Sequence, residues 1–238
     1  MTEEIFNLDA YAKNCDTKII NIVDEGFELE KTVFFPGGGG QPNDYGVFIL
    51  ENGNDIPVLK VKRIDGRIFH FPESTEININ DPIRCEINWD RRYKLMRTHT
   101  ALHILCGVVW RDYGAVVTGG NMDVLKGRMD FEFESLSSDM CLEIEENVNI
   151  EIKKNLNIKV GFIPREEALK IPGLIRTKVN LLPESIIVFR TIDIEGLDIQ
   201  SDGGTHVNKT KEVGKVVVTG HQSKGKINKR IRIEILNN

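Results

Sequence analysis

The sequence predicts an α+β protein: a small N-terminal β-barrel followed by an α+β domain that mixes sheet and helices. Three observations carry that expectation. Up to about Asn88, apolar residues fall in short β-branched or aromatic runs at even spacing, separated by Asp-Glu-Gly, Asn-Gly-Asn-Asp and Asp-Gly turn signals. A run of helical period then extends from Arg92 to Trp110. Beyond it, strands and helices follow one another without the regular βαβ alternation of a doubly wound sheet. The expected division is therefore residues 1–88 and 89–238.

In the first part the strands are read at Lys18–Val23, Phe27–Phe34, Gly46–Leu50, Ile56–Val61 and Arg67–Phe71. Strands this short and evenly spaced fit a small barrel. His70, between Phe69 and Phe71, reads as a strand-face histidine rather than a metal ligand. Pro36 and Gly37–Gly40 interrupt the pattern and force a loop. By its residues alone that loop is either a wide turn or a cradle of backbone N–H groups for a phosphate or an RNA end. Gln41 adds an amide able to donate and accept.

In the second part, Leu95, Leu102, Ile104, Leu105, Val108 and Val109 supply the apolar side of the Arg92–Trp110 helix. Gly114–Gly120 turns into a strand near Arg128–Phe133. Ser137, Ser138 and Asp139 are N-cap candidates for a helix to Lys154, in which Cys141, Ile144, Val148 and Ile152 recur at helical spacing. Ile158–Ile163 reads as a strand, Pro164–Lys170 as a short helix, and Ile186–Arg190, Val213–Thr219 and Lys229–Ile235 as strands. No internal repeat or low-complexity tail is found.

His99 and His103 lie one turn apart on one helix face, the spacing needed to grip one ion. Far downstream, Asp202-Gly203-Gly204-Thr205-His206 brings a third imidazole on a glycine-rich turn with a carboxylate beside it. Three protein ligands with an open position match a catalytic zinc site, so His99, His103 and His206 are the candidate ligands. Asp202 is open to three roles: fourth ligand, a partner orienting an imidazole, or a base for the attacking water.

The 238 residues are 40% hydrophobic and 28% charged, ordinary for a globular protein and too apolar for wholesale disorder. No apolar run approaches the ~20 residues of a membrane span. The acidic start Met-Thr-Glu-Glu is unlike a secretory signal, so a cytoplasmic location is expected. Cys15, Cys85, Cys106 and Cys141 show no CxxC spacing and read as reduced thiols. Cys106 shares the histidine face but lies roughly 10 Å along the axis from His99, too far for a shared ion. The net charge of −5 argues against indiscriminate nucleic-acid binding. Basic residues nevertheless cluster at Arg91, Arg92, Lys94 and Arg97 and, from Val207 onward, at Lys209, Lys211, Lys215, Lys224, Lys226, Lys229, Arg230 and Arg232. Both clusters flank the histidine stretches, as a site for a polyanionic substrate would.

The stretch Arg97-Thr98-His99-Thr100-Ala101-Leu102-His103, the Gly203-Gly204-Thr205-His206-Val207 element and Thr32-Val33-Phe34-Phe35-Pro36-Gly37-Gly38-Gly39-Gly40-Gln41, continued by Asp44 and Gly46, together resemble the editing domain of alanyl-tRNA synthetases and its free-standing relatives, the AlaX family. The similarity runs over nearly the whole chain. It implies a trans-acting, zinc-dependent hydrolase that deacylates Ser-tRNA(Ala), with Gly-tRNA(Ala) a further substrate, using one zinc ion per chain and acting as monomer or homodimer. The resemblance makes the 89–238 part the editing domain and gives the Gly38-Gly39-Gly40 loop and Gln41 a role in placing the substrate's end. It makes Thr118 similar in position to a pocket threonine; on the residues alone Thr118 is equally a strand or turn threonine. Asp130 and Phe131 match an RxDF element read as pocket wall and scaffold, with Arg128 as a phosphate contact. Arg91, Arg92, Lys224 and Lys226 are expected at the tRNA. Alanyl-tRNA synthetases typically carry cysteine where this chain has Asp202, which leaves the fourth ligand open. Two other readings stand beside this one: a non-catalytic tRNA- or RNA-binding module with a structural zinc, and an unrelated zinc hydrolase of small esters or amides.

Overall fold

The computed structural model describes residues 2–74, 76–176 and 186–236, which fall into two compact units, Met1–Lys94 and Leu95–Asn238. The division lies inside a helix, past the expected break after residue 88, because the helix's first turn is tied into the first unit by Arg92.

The first unit is built on β1 (Glu3–Glu4), β2 (Asn14–Val23), β3 (Gly26–Leu29), β4 (Lys31–Thr32), β5 (Gly46–Leu50), β6 (Asp55–Ile64), β7 (Arg67–Pro72) and β8 (Pro82–Ile87). Six of these close on themselves in the order β2-β3-β7-β6-β5-β8, all neighbours antiparallel, and β1 pairs with β4 outside the ring. Closure removes the open edges that invite aggregation. Phe27, Leu29, Phe34, Phe48, Val58 and Cys85 are fully buried at its centre. β8 went unread in the sequence although its residues alternate exposed and buried at every step. The β5–β8 contact requires Gly46: a Cβ there would meet the Glu86 carbonyl oxygen at 2.1 Å.

The expected strand Phe27–Phe34 stops early. Beyond Thr32 the backbone donors are satisfied by side chains: the Phe34 N–H donates to Thr32 Oγ1 at 3.1 Å and the Phe35 N–H to the Asp44 carboxylate at 2.7 Å. Gly37, Gly38, Gly39 and Gly40 then take φ of 82°, 144°, 58° and 90°, angles that only glycine adopts freely. Two backbone bonds between Gly38 and Gln41 close the turn.

His70 sits in this core with no exposed surface. Its Nδ1–H donates to the Phe27 carbonyl at 3.1 Å, which leaves Nε2 to accept from the Thr32 hydroxyl at 2.8 Å. Burial, opposed by the Phe27 bond, pushes its pKa down to about 4. The strand-face reading holds, and the ring is neutral.

The first element of the second unit is α1 (Trp89–Tyr113), whose opening residues belong to the first. It is followed by β9 (Val117–Asp123), β10 (Lys126–Glu132), α2 (Ser138–Lys153), β11 (Ile158–Pro164), α3 (Arg165–Ala168), β12 (Val188–Ile194), β13 (Asp198–Ser201), β14 (Val216–Ser223) and β15 (Asn228–Ile235). An antiparallel sheet runs β14-β15-β10-β9, and a second runs β11-β12-β13. Ser137 caps α2 by accepting the Met140 N–H at 3.1 Å, and Cys141, Ile144, Val148 and Ile152 are buried, as the spacing predicts. α1 is buried along most of its length, with Leu95, Leu102, Ile104, Leu105, Val108 and Val109 at most 4% exposed and Thr98, His99, Thr100 and His103 buried among them. Such a helix is central rather than amphipathic. The four cysteines are free thiols, three buried and Cys15 half-buried. Among the described residues no helix is long and apolar enough to cross a membrane.

Candidate metal centre

Two elements of the second unit build the centre. α1 presents His99 and His103, 5% and 6% exposed, and the turn after β13 presents Asp202 and His206. One donor atom from each of the four lies within 4.8 Å of every other, a cluster that could hold a metal ion. The rings pack closely, with centroids 5.0 Å apart for His99–His103, 4.2 Å for His99–His206 and 4.6 Å for His103–His206.

The two Asp202 oxygens face different groups. Oδ2 accepts the Gly204 N–H at 2.6 Å and lies 3.1 Å from His206 Nε2. Oδ1 faces His99 Nε2 at 3.5 Å and His103 Nε2 at 3.9 Å. Burial raises the cost of the carboxylate, yet the attraction of His99 and the hydrogen bonds with His103 and His206 outweigh it. The group is held well below the usual carboxylate range. His99 and His206 move the other way, toward the uncharged form. Burial, only partly offset by Asp202, takes His99 down to about 4, and burial with the neighbouring histidines takes His206 well below its ordinary value. These directions favour an ionised Asp202 beside neutral His99 and His206, the protonation state metal binding requires.

Two supporting residues were not legible in the sequence. Thr100, fully buried, accepts the Val207 N–H at 3.2 Å and stands 3.3 Å from His206 Nδ1. Its only signal was a hydroxyl between the two helix histidines. Arg190 on β12 clasps the start of the turn: its Nη1 donates to the Asp202 carbonyl at 2.9 Å, and its own carbonyl accepts the Asp202 N–H at 3.1 Å. No local pattern marks that residue.

The other expected site residues are placed as follows. Thr118 is exposed on β9 and donates to Asn228 Oδ1 at 2.9 Å. Gly38, Gly39 and Gly40 are exposed in the first unit, while Gln41 beside them is 3% exposed. Asp130 is ion-paired with Arg230 at 2.6 Å, and Phe131 is fully buried as scaffold. Lys224 and Lys226 are exposed at the β14–β15 turn. Arg91 is half-buried, its guanidinium 4.0 Å over the Tyr45 ring.

Arg92 is a correction. It has no exposed surface, pairs with Asp44 and donates to the Ala10 and Val33 carbonyls at 2.9 and 2.6 Å. A guanidinium buried against a carboxylate and two carbonyls presents no surface to a phosphate. Its neighbours are also engaged: Lys94 pairs with Asp90, and Arg97 donates to the Val213 and Leu236 carbonyls. In the downstream cluster the buried Lys229 ammonium donates to the Gly225 and Lys226 carbonyls. Charge counted along the sequence overstated what faces solvent.

The family model "tRNA synthetases class II (A)" matches residues 2–91, and "Threonyl and Alanyl tRNA synthetase second additional domain" matches residues 189–232. A relative from Saccharolobus solfataricus, named alanyl-tRNA editing protein AlaX-M, is 40% identical over 97% of this chain and 98% of its own length. The chain belongs to the AlaX-M family. An AlaX-M protein from Methanosarcina barkeri is 34% identical over 97% of this chain and 98% of its own length. An alanine–tRNA ligase from Methanococcus maripaludis is 33% identical over 91% of this chain, which corresponds to only 24% of the ligase. This AlaX-M family member is thus similar over most of its length to about a quarter of a much larger synthetase.

Proposed function

We propose that this protein is a trans-acting aminoacyl-tRNA deacylase that hydrolyses the ester of alanine tRNA mischarged with serine, and with glycine as a second substrate. One observation carries the reading: three imidazoles and one carboxylate cluster within 4.8 Å, in a chain whose full-length relatives are named alanyl-tRNA editing proteins. The donor set suits zinc, which takes imidazole nitrogen and carboxylate oxygen in four-coordinate sites. His99, His103, His206 and Asp202 are the residues that would hold it. When bound, zinc supplies Lewis acidity, which activates water near neutral pH and polarises an ester carbonyl.

The chain's own residues divide the remaining work. Arg190 and the Gly204 N–H fix Asp202 from both sides, main chain and carboxylate. A carboxyl held so far below its usual range is a weak base at neutral pH, which favours ligation or orientation over proton abstraction for Asp202. Thr100 bridges His206 to the Val207 N–H and sets the ring's orientation. For specificity, an apolar pocket rejects an added hydroxyl only about 10²-fold, whereas a pocket that hydrogen-bonds it discriminates far better. Thr118, exposed and donating to Asn228, keeps lone pairs free to accept from a seryl hydroxyl. The exposed backbone of Gly39 and Gly40, and Lys224 and Lys226, are proposed tRNA contacts.

The test is release of serine from Ser-tRNA(Ala) against alanine from Ala-tRNA(Ala), with and without chelator and added zinc. Chelator-sensitive loss of serine with alanine spared supports the reading. One observation favours a second reading, a tRNA-binding module with a structural metal: four protein donors could close a tetrahedral site. Zinc-loaded, folded protein that binds tRNA and releases no serine would establish that alternative instead.

A further inference from the structure

On one face of the β14-β15-β10-β9 sheet, three arginines stand around a single carboxylate, which two of them contact. The register sets Arg128 on β10 directly opposite Arg232 on β15, and in the next row Asp130 opposite Arg230. Both Asp130 oxygens are taken by Arg230, from Nε at 2.6 Å and Nη2 at 2.7 Å. Arg128 reaches that carboxylate only at 3.4 Å. Arg232 donates to a neutral group, Gln222 Oε1, at 2.8 Å. Like charges directly opposite on antiparallel strands repel, and Asp130, contacted by Arg230 and at longer range by Arg128, is the one carboxylate these two rows set against three guanidiniums. Lys224, exposed at the adjoining turn, adds its field at Asp130. The surplus is local: one row away Lys126 pairs with Glu234 at 3.2 Å, and Glu132 lies opposite Asn228.

Alternate residues of the same strands point the other way, where Gly127 packs against Leu102 of α1 and Ile231 and Ile233 are buried. The basic face itself carries no exposed large apolar side chain; Asn121 and Gln222 complete its two rows as exposed amides. Arginine, lysine and amide side chains are what bind phosphodiester oxygens. A protein partner would need an apolar anchor that this face lacks.

We infer that this sheet face, centred on the opposed Arg128 and Arg232, is a docking surface for the phosphate backbone of RNA. The inference rests on the tRNA reading above and names its surface. A phosphate placed between the two guanidiniums supplies the counter-charge that the sheet omits.

The test is equilibrium binding of uncharged tRNA across a KCl series, for wild type, the double variant R128Q/R232Q and the single variant Lys126→Gln. Two lost phosphate contacts make the log–log salt slope of the double variant shallower by about 1.4–1.8 and weaken binding about tenfold at moderate salt. Lys126→Gln, whose charge is already paired, stays within twofold of wild type. Removing two opposed like charges also leaves the melting temperature unchanged or higher. A folded double variant with the wild-type slope overturns the inference, as does one that melts lower with its slope unchanged, which marks a structural role. Wild-type protein that binds no tRNA overturns it too. A shallower slope in a protein that releases no serine supports the surface while removing the deacylase reading, so the two failures are distinguishable.

Discussion

The Thr100 hydroxyl lies 3.3 Å from His206 Nδ1 while accepting the Val207 N–H, so one buried side chain of α1 orients an imidazole of the distant turn. A hydroxyl can donate to Nδ1 or accept from it. It is therefore compatible with either tautomer, including the one in which Nε2, the atom facing Asp202, carries no proton and could bind a metal.

Thr100→Val keeps the shape and removes that bond. Zinc affinity is expected to fall about 10–100-fold, the usual cost of losing a partner behind a metal-bound histidine. Competition against a fluorescent chelator measures it. Unchanged affinity would mean that packing alone holds the ring.

Substitution of the cluster itself acts more directly. His103→Ala or His206→Ala should abolish both stoichiometric zinc binding and serine release. Asp202→Asn, which keeps the shape and loses the charge, should bind zinc more weakly. Isothermal titration reads the metal, and radiolabelled Ser-tRNA(Ala) reads the activity. An Asp202→Asn variant with full affinity would remove the carboxylate from the ligand set.

Arg92 makes the opposite prediction to the one its sequence neighbourhood invites. Arg92→Met leaves the buried Asp44 without its partner and should destabilise by about 3–5 kcal/mol in urea unfolding. Where the variant stays folded, the salt slope of tRNA binding should not move. A shallower slope would return Arg92 to the RNA interface.

His70 predicts a pH dependence. Its folded pKa of about 4 lies below the ordinary 6.5, so between those values the unfolded chain binds the extra proton. The stability it contributes is present above about pH 6.5, declines as pH falls toward 4, and is worth on the order of 3 kcal/mol. His70→Gln should flatten the dependence of unfolding free energy on pH between 7 and 5 by up to one proton. An identical pH dependence in the two proteins would show that His70 titrates normally.

The sequence made the α+β class and the donor set legible because each rests on short-range pattern. His99 and His103 are one turn apart on any helix, and the Asp202–His206 turn carries its glycines with it. Long-range pairing was not legible. β8 looks unremarkable until its alternate residues meet β2 and β5. Arg92 reads as one more basic residue until Asp44, far along the chain, is seen to bury it. Arg128 and Arg232 become a pair only through the β10–β15 register. Charge is written in the sequence, but its exposure is set by partners that composition does not reveal.

The Gly204 N–H and the Arg190 clasp hold Asp202 with the protein's own atoms, and Thr100 does the same for His206. The four donors are thus held by the protein's own bonds, unlike those of a zinc finger, whose chain folds only around its metal. An ion captured there would cost little ordering entropy. Stripping the metal should silence the chemistry in a protein that still gives the circular dichroism spectrum of the native fold, and restoring it should revive the same molecules without refolding.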